Sequence, residues 1–376
     1  MSTSVGSAFS TEKISDDKLT ISVGPQHPGA GHFRFTVTID GDTIVDCVPD
    51  PGYVHRGAEK QTEYRSFLQS IPMLERSSLT DVTNIIMPFS MAAEELMGIQ
   101  IPPRAQYLRM IMSENQRILS HLYWLGIQGI FLGHSTVFMW PLGDRELFID
   151  LGQMIGGARI TYSYAIPGGV RNDMPDDFKD RALKVFNYFE ARLKDYEKIF
   201  FNNPLVLKRT QDVGVLPRAE AIKLGVVGQT LRASGVKSDT RIDEPYNFYK
   251  DLNFEVPTYE SCDTWARCMV HLVEMRQSMN IMRQCLEKIP QGPVRVKLSP
   301  QQRAQAGEAY TRVEASRGAM SFHIISEGST KPYRVKISVP SFRNLIALPR
   351  LLIGSYVADM PAIYWSLDYW PVEADR

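Results

Sequence analysis

The chain has 376 residues, 44% of them hydrophobic and 22% charged, which is enough apolar material for one large domain or two. Forty-two Lys and Arg balance forty-two Asp and Glu, a formal net charge of zero. That balance argues against nucleic acid as the main partner and suits a protein held inside an assembly.

The first residues, MSTSVGSAFSTEK, lack a charged start followed by an apolar stretch, so they do not read as a signal peptide. Residues 1–18 are small and polar and read as a flexible N-terminus. LTISV (19–23) and HFRFTVTIDGDTIVDCVP (32–49) alternate like strands, and Asp40-Gly41 marks a hairpin. Residues 19–57 therefore form a small antiparallel β unit, with His27 in the Gly/Pro-rich loop GPQHPGAG.

From residue 58 the period turns helical, first through AEKQTEYRSFLQSI, then through LTDVTNIIMPFSMAAEELMG, with Gly98 as its stop. Residues 104–125 carry Tyr107, Leu108, Ile111, Ile118, Leu119 and Leu122 at helical steps. Glu114, Arg117 and His121 make a second stripe on that helix, either a solvated face or a buried polar line beside a redox or proton path. Further helices are expected within 143–170, from Pro175 to about residue 202, and over 261–289. Strands follow the Gly292-Pro293 turn (AYTRVEAS, MSFHIISEG, KPYRVKISVP), and residues 341–376 hold a short helix and an apolar end rich in Tyr and Trp. The fold class is α+β, with residues 58–376 a helical core whose C-terminal part contains strands.

No phosphate-binding loop, dinucleotide fingerprint, zinc-protease motif or nucleophile elbow occurs. The four cysteines, Cys47, Cys262, Cys268 and Cys285, form no CxxC pair and read as reduced, mostly buried thiols. No run of about 18 apolar residues is present to cross a membrane. No metal ligand set is legible.

What stands out is Arg56-Gly57-x-Glu59, then sixteen residues, then Arg76. Together with GPQHP (24–28), GGVRNDMP (168–175), LRASGVK (231–237), RVEASRG (312–318), KPYRVKISVPSF (331–342) and the closing ADR (374–376), it resembles the 49 kDa (D-type) subunit of respiratory complex I, or NADH-quinone oxidoreductase. The resemblance extends to the archaeal branch of that family, which includes the coenzyme F420H2 dehydrogenases. The 49 kDa subunit looks like a descendant of the nickel–iron hydrogenase large subunit, whose metal is held by two CxxC pairs. On this chain those cysteine positions fall on Ser78, Asp81, Trp370 and Glu373. Oxygen and indole groups cannot replace four thiolates at a soft metal site, so the chain is not a hydrogenase.

The resemblance implies a peripheral-arm subunit of an NADH- or F420H2-type dehydrogenase. It would form a quinone or phenazine cavity beside the terminal 4Fe-4S cluster of a neighbouring small subunit of B type, and couple electron transfer to ion translocation. It implies no cofactor on this chain and partners of C type, I type (ferredoxin-like) and H type (membrane), on the cytoplasmic side of the cell membrane. The cavity residues it implies are His27, Ala30, Leu79 and Phe131; the cluster-facing ones are Arg76, Arg159 and Thr161. The candidate catalytic groups are His32 and Glu59, although Glu59 reads equally as a salt-bridge partner. Four positions depart from the family: Leu79 for the headgroup tyrosine, Ala30 for the headgroup histidine, Phe131 for its aspartate partner and Thr161 for a histidine by the cluster. His32 is displaced by two residues, at an expected strand start. These changes point to a low-potential carrier such as menaquinone or a phenazine. The alternative is a redox-inactive scaffold joining an oxidoreductase module to an ion-pumping membrane arm.

Overall fold

The computed structural model describes residues 9–15, 18–26, 31–299 and 301–376. His27 and Ala30 lie outside the described residues.

Strands β1 (Phe9–Lys13), β2 (Lys18–Val23), β3 (Arg34–Asp40) and β4 (Thr43–Asp50) form an antiparallel meander. The β3–β4 loop is Gly41-Asp42, with positive φ only at its first position, the pattern of a type II′ turn. Two expectations are corrected here. Residues 9–13 fall within the expected flexible end but pair along β2, from Phe9 opposite Val23 to Lys13 opposite Leu19. The polar FSTEK has no apolar alternation to announce an edge strand. His32 is not at a strand start: it is exposed, in the left-handed region (φ 60°), two residues before β3 begins.

Helices α1 (Ala58–Tyr64) and α2 (Phe67–Leu74) follow. Gly57 caps α1 at φ 65°, a conformation that explains the glycine of the Arg-Gly-x-Glu motif. Ser66 and Gln69 exchange hydrogen bonds as a capping box on α2. Helix α3 (Val82–Met97) ends on Gly98 in the left-handed region, as read from the sequence.

Helix α4 (Pro103–Phe131) is the axis of the molecule, packed by α3, by α5 (Ser135–Gly156) and by two later helices. It is buried on nearly every face, which is why no single apolar stripe dominates it. A small hairpin, β5 (Ala165–Ile166) and β6 (Gly169–Val170), leads to α6 (Phe178–Tyr196). Short helices α7 (Pro204–Thr210), α8 (Arg218–Leu224), α9 (Gly228–Arg232) and α10 (Thr240–Asp243) precede α11 (Thr264–Lys288), which packs along α4. Strands β7 (Ala306–Ala315), β8 (Gly318–Glu327) and β9 (Arg334–Ser338) form a second meander. The tail holds four helices rather than one: α12 (Pro340–Leu345), α13 (Ala347–Leu352), α14 (Met360–Ser366) and α15 (Pro371–Asp375).

The N-terminal sheet has no core of its own. Ile44 N–H donates to Ser355 O (2.9 Å), Gly354 N–H to Ile44 O (2.8 Å), and Phe33 and Phe35 stack on Tyr364. One hydrophobic cluster runs from Val23 to Ala374, so the first and last segments close over the same core.

Candidate functional site

The sixteen-residue spacer folds as α1 and α2 and returns on itself. Arg56 then donates to the carbonyl of Arg76 at 3.3 Å, joining the two halves of the motif. The Arg76 guanidinium reaches the carbonyl of Pro72 and Glu75 Oε1 (3.1 Å), with its side chain 45% exposed. Glu75 is buried; it accepts from Ser163 N–H at 2.7 Å and from the Ser163 hydroxyl at 3.0 Å. Burial pushes the Glu75 carboxyl up, against the pull of Ser163 and Arg76. That bond ties the segment carrying Arg159 and Thr161 beside Arg76. Arg159 is half exposed and paired with Glu146 and Asp150; Thr161 is half-buried. Leu79 is exposed, one turn after Arg76.

Behind this face the four positions where the hydrogenase resemblance places cysteines converge. Ser78 donates to Glu373 Oε2 at 2.8 Å across 295 residues of sequence, and Asp81 Oδ2 accepts from Ser316 N–H at 2.7 Å. Arg317, in the β7–β8 turn, donates to Thr80 Oγ1 (2.6 Å), Ser120 Oγ (3.1 Å), Glu373 Oε2 (3.3 Å) and the carbonyl of Asp368 (2.9 Å). Its guanidinium lies 5.7 Å from the Trp370 ring centre. Burial pushes the Asp81 carboxyl up to about 6, partly offset by Arg317 and the Ser316 amide. The chain's cysteines are all free; burial pushes the Cys47 and Cys268 thiols up to about 12, which keeps both as thiols.

The Glu114–Arg117–His121 stripe is fully buried, so the solvated reading is excluded. Glu114 is bound by Arg117 (3.1 Å), Arg241 (3.0 Å), Tyr249 (2.7 Å) and Ser278 (2.6 Å). Burial would raise its carboxyl, but Arg241 and Arg117 override this and hold it down at about 2. Arg241 also pairs with Asp239, and Arg232 with Asp239, Glu274 and Glu314. Glu274 accepts from His121 Nε2 at 2.8 Å. Burial pushes the His121 imidazole down to about 4, against the pull of Glu274. His271 stacks on Trp124 (3.8 Å between ring centres, 5°), faces Asp368, and through Asp368 the network meets Arg317. Four guanidiniums (Arg117, Arg232, Arg241, Arg317) thus face seven carboxylates (Glu114, Asp239, Glu274, Glu314, Asp368, Glu373, Asp81), every one of them buried. Arg232, Glu314 and Arg317 lie in blocks legible in the sequence. Arg241, Asp239, His271 and Glu274 do not, because the Met- and Leu-rich run around the last two reads as packing.

The remaining candidates stand apart. Glu59 is held by Lys336 (3.2 Å), Arg334 (3.7 Å), Arg376 (3.6 Å) and the Ile337 amide (3.0 Å). It lines a cleft of about 340 Å³ with His55, Phe342 and Asp375. Phe131 is half-buried, 5.8 Å from the Trp365 ring. Gln116 holds the carbonyl of Thr80, and Phe131 is fifteen residues further along α4, about 22 Å at 1.5 Å per residue, so Leu79 and Phe131 do not meet. His32 follows Gly31, whose position packs on Pro371 beside Trp370.

Residues 132–305 and 297–376 match the family described as respiratory-chain NADH dehydrogenase, 49 Kd subunit. The chain belongs to that family. It is 42% identical over 373 residues to the D subunit of the F(420)H(2) dehydrogenase of Methanosarcina mazei, covering 97% of this chain and 100% of the relative. It is 40% identical to the D subunit of the NADH-quinone oxidoreductase of Desulforamulus reducens, covering 96% and 99%. Among solved structures it superposes with TM-score 0.93 and 35% identity on a chain of the membrane-bound sulfane sulfur reductase, an archaeal respiratory membrane complex, covering 97% and 100%. It is therefore a 49 kDa-type subunit of a respiratory membrane oxidoreductase. Among the described residues no helix is long and apolar enough to cross a membrane.

Proposed function

We propose that this protein forms the acceptor cavity of an F420H2- or NADH-oxidising complex. It would receive electrons from a 4Fe-4S cluster in a neighbouring small subunit and pass them to a quinone or phenazine, coupled to ion translocation. Partners of B, C and I type and a membrane partner of H type would hold it at the cytoplasmic face of the membrane. The observation that carries this reading is the closed cage. The four former ligand positions meet, but as Ser78, Asp81, Trp370 and Glu373 around Arg317, directly behind an exposed face of Arg76, Leu79 and Arg159. A redox subunit with such a cage takes its electrons from outside the chain.

In this reading Arg76 places positive charge against the partner's cluster and favours its reduced, more negative state, and Arg159 faces the same cluster. Thr161 lines the same contact. Leu79 and Phe131 give apolar wall to a long cavity, His27 and Ala30 belong to the loop at its edge, and His32 and Glu59 serve proton delivery. Arg76→Met in the assembled complex should lower the cluster's midpoint potential by on the order of tens of millivolts. It should also slow acceptor reduction by the natural donor. Spectroscopic redox titration and steady-state assays read the two effects, and no change in either would leave only a coupling scaffold. His32→Ala should slow turnover while cluster reduction by the donor stays intact; full turnover would remove His32 from the proton path.

A further inference from the structure

Where α4, α11 and the turn after α14 meet, three buried polar atoms face one another with no hydrogen-bond partner among the described residues. His121 gives its Nε2–H to Glu274, a carboxylate that Arg232 keeps ionised and that can only accept, so the Nδ1 of the neutral ring is a lone pair. His271 gives its Nδ1–H to the carbonyl of Arg267 at 2.8 Å, so in the neutral ring Nε2 is the lone-pair nitrogen. Asp368 Oδ2 stands 3.5 Å from that nitrogen. His121 Nδ1, His271 Nε2 and Asp368 Oδ2 are each buried and without a hydrogen-bond partner among the described residues, and one ligand atom from each side chain lies within 4.8 Å of the other two. Asp368 is held at φ 50°, a strained backbone that persists where its surroundings over-determine it.

We propose that His121, His271 and Asp368 bind one divalent metal ion of the zinc class, a site the sequence alone did not reveal. Both imidazoles are fixed through their far nitrogen by a carboxylate or a carbonyl, the way metal-ligating histidines are oriented. Donors about 2.1 Å from a tetrahedral ion stand roughly 3.4 Å apart, close to the separation already present between His271 and Asp368. Three protein ligands leave the fourth position to water. The ion also supplies positive charge beside buried Asp368, whose other oxygen stands 3.4 Å from the single guanidinium of Arg317. A water molecule alone offers two hydrogens to three acceptors and no charge. The ion would bolt α4 and α11 to the C-terminal segment, independently of which carrier the complex reduces.

The test is the zinc content of the intact complex, purified without chelator and incubated with zinc chloride, for wild type, His271→Gln and His271→Ala. The expected result is one equivalent of zinc lost in both variants. Zinc-edge X-ray absorption of the wild-type complex should show a nitrogen and oxygen shell with imidazole scattering, and this decides the matter even where a variant fails to assemble. Absence of zinc from the wild type, equal zinc in all three, or a shell made only of sulfur would overturn the site.

Discussion

Asp81 falls where the resemblance to the nickel–iron hydrogenase pattern places a cysteine, and its carboxylate is sealed from water with few donors around it. Burial raises its pKa to about 6 from 3.8, so the folded chain keeps a proton that the unfolded chain has released. The stability contributed by that proton is complete below about pH 4 and is lost as the pH rises to 6. Above that range ionised Asp81 costs on the order of 3 kcal/mol. Asp81→Asn removes the titration. Asn84 donates to Asp81 while its own Oδ1 is buried without a partner, so its amide can turn to accept from the new carboxamide. The thermal midpoint of the protein in the complex should therefore lose its slope between pH 4 and 6, with the variant's advantage largest near pH 7. Parallel curves would show that the carboxyl is not raised. The site of this change was legible in the sequence, because the resemblance to the nickel–iron hydrogenase pattern marks Ser78, Asp81, Trp370 and Glu373 as the positions of its two cysteine pairs. Its consequence was not, because Arg317 and Ser316 arrive from a strand turn more than two hundred residues away.

At the scale of elements, α3, α4 and the β5–β6 hairpin are locked by one ion pair. Glu94 binds Arg109 through both oxygens (3.0 and 2.5 Å) and accepts from Gly168 N–H (2.8 Å). Arg109 donates in turn to the carbonyls of Ile166 and Gly169. Glu94→Ala strands a buried guanidinium, which costs about 3–5 kcal/mol. Glu94→Gln keeps an acceptor and should cost clearly less. Hydrogen exchange at the amides of residues 168–170 in the assembled complex should accelerate in the first variant and little in the second; equal protection would move the anchor elsewhere. The helical period revealed α4 but ended it at residue 125 rather than 131. Its last turns are fixed by distant partners: Trp124 and Trp365 exchange indole-to-carbonyl bonds at 2.9 Å, and Gln128 reaches Ala362 O. A helix buried all round carries its polar groups as internal bonds, and periodicity cannot tell these from solvent contacts.

Over the whole molecule, the end of the chain is the keystone of the cage. Glu373 accepts from Ser78 ahead of α3, from Arg317 between β7 and β8, and from both the amide and the hydroxyl of Ser341 on α12. Ser341 also holds the Trp370 amide, and Asp375 holds the amide of Val54. One buried carboxylate thus joins the segment that follows Arg76, the C-terminal meander and the tail, and the tail carries the N-terminal sheet through Ile44 and Ser355. Glu373→Ala leaves Arg317 with Asp368 as its one direct ion-pair partner among the described residues and Ser78 and Ser341 with a cavity, a cost of about 3–5 kcal/mol. Glu373→Gln can keep its carbonyl on the amide and hydroxyl of Ser341, while its NH2 replaces the oxygen that faced Ser78, whose hydroxyl can turn to accept, and loses the charge opposite Arg317, so its cost should be smaller, nearer about 1–3 kcal/mol. Limited proteolysis of the purified complex separates the cases. The alanine variant should be cut within 353–376 far faster than wild type, with accompanying release of the 9–50 sheet, whereas the glutamine variant should stay near wild type. Cutting that is unchanged in the alanine variant would mean that the apolar packing of Tyr364, Tyr369 and Phe33 holds the tail without the carboxylate.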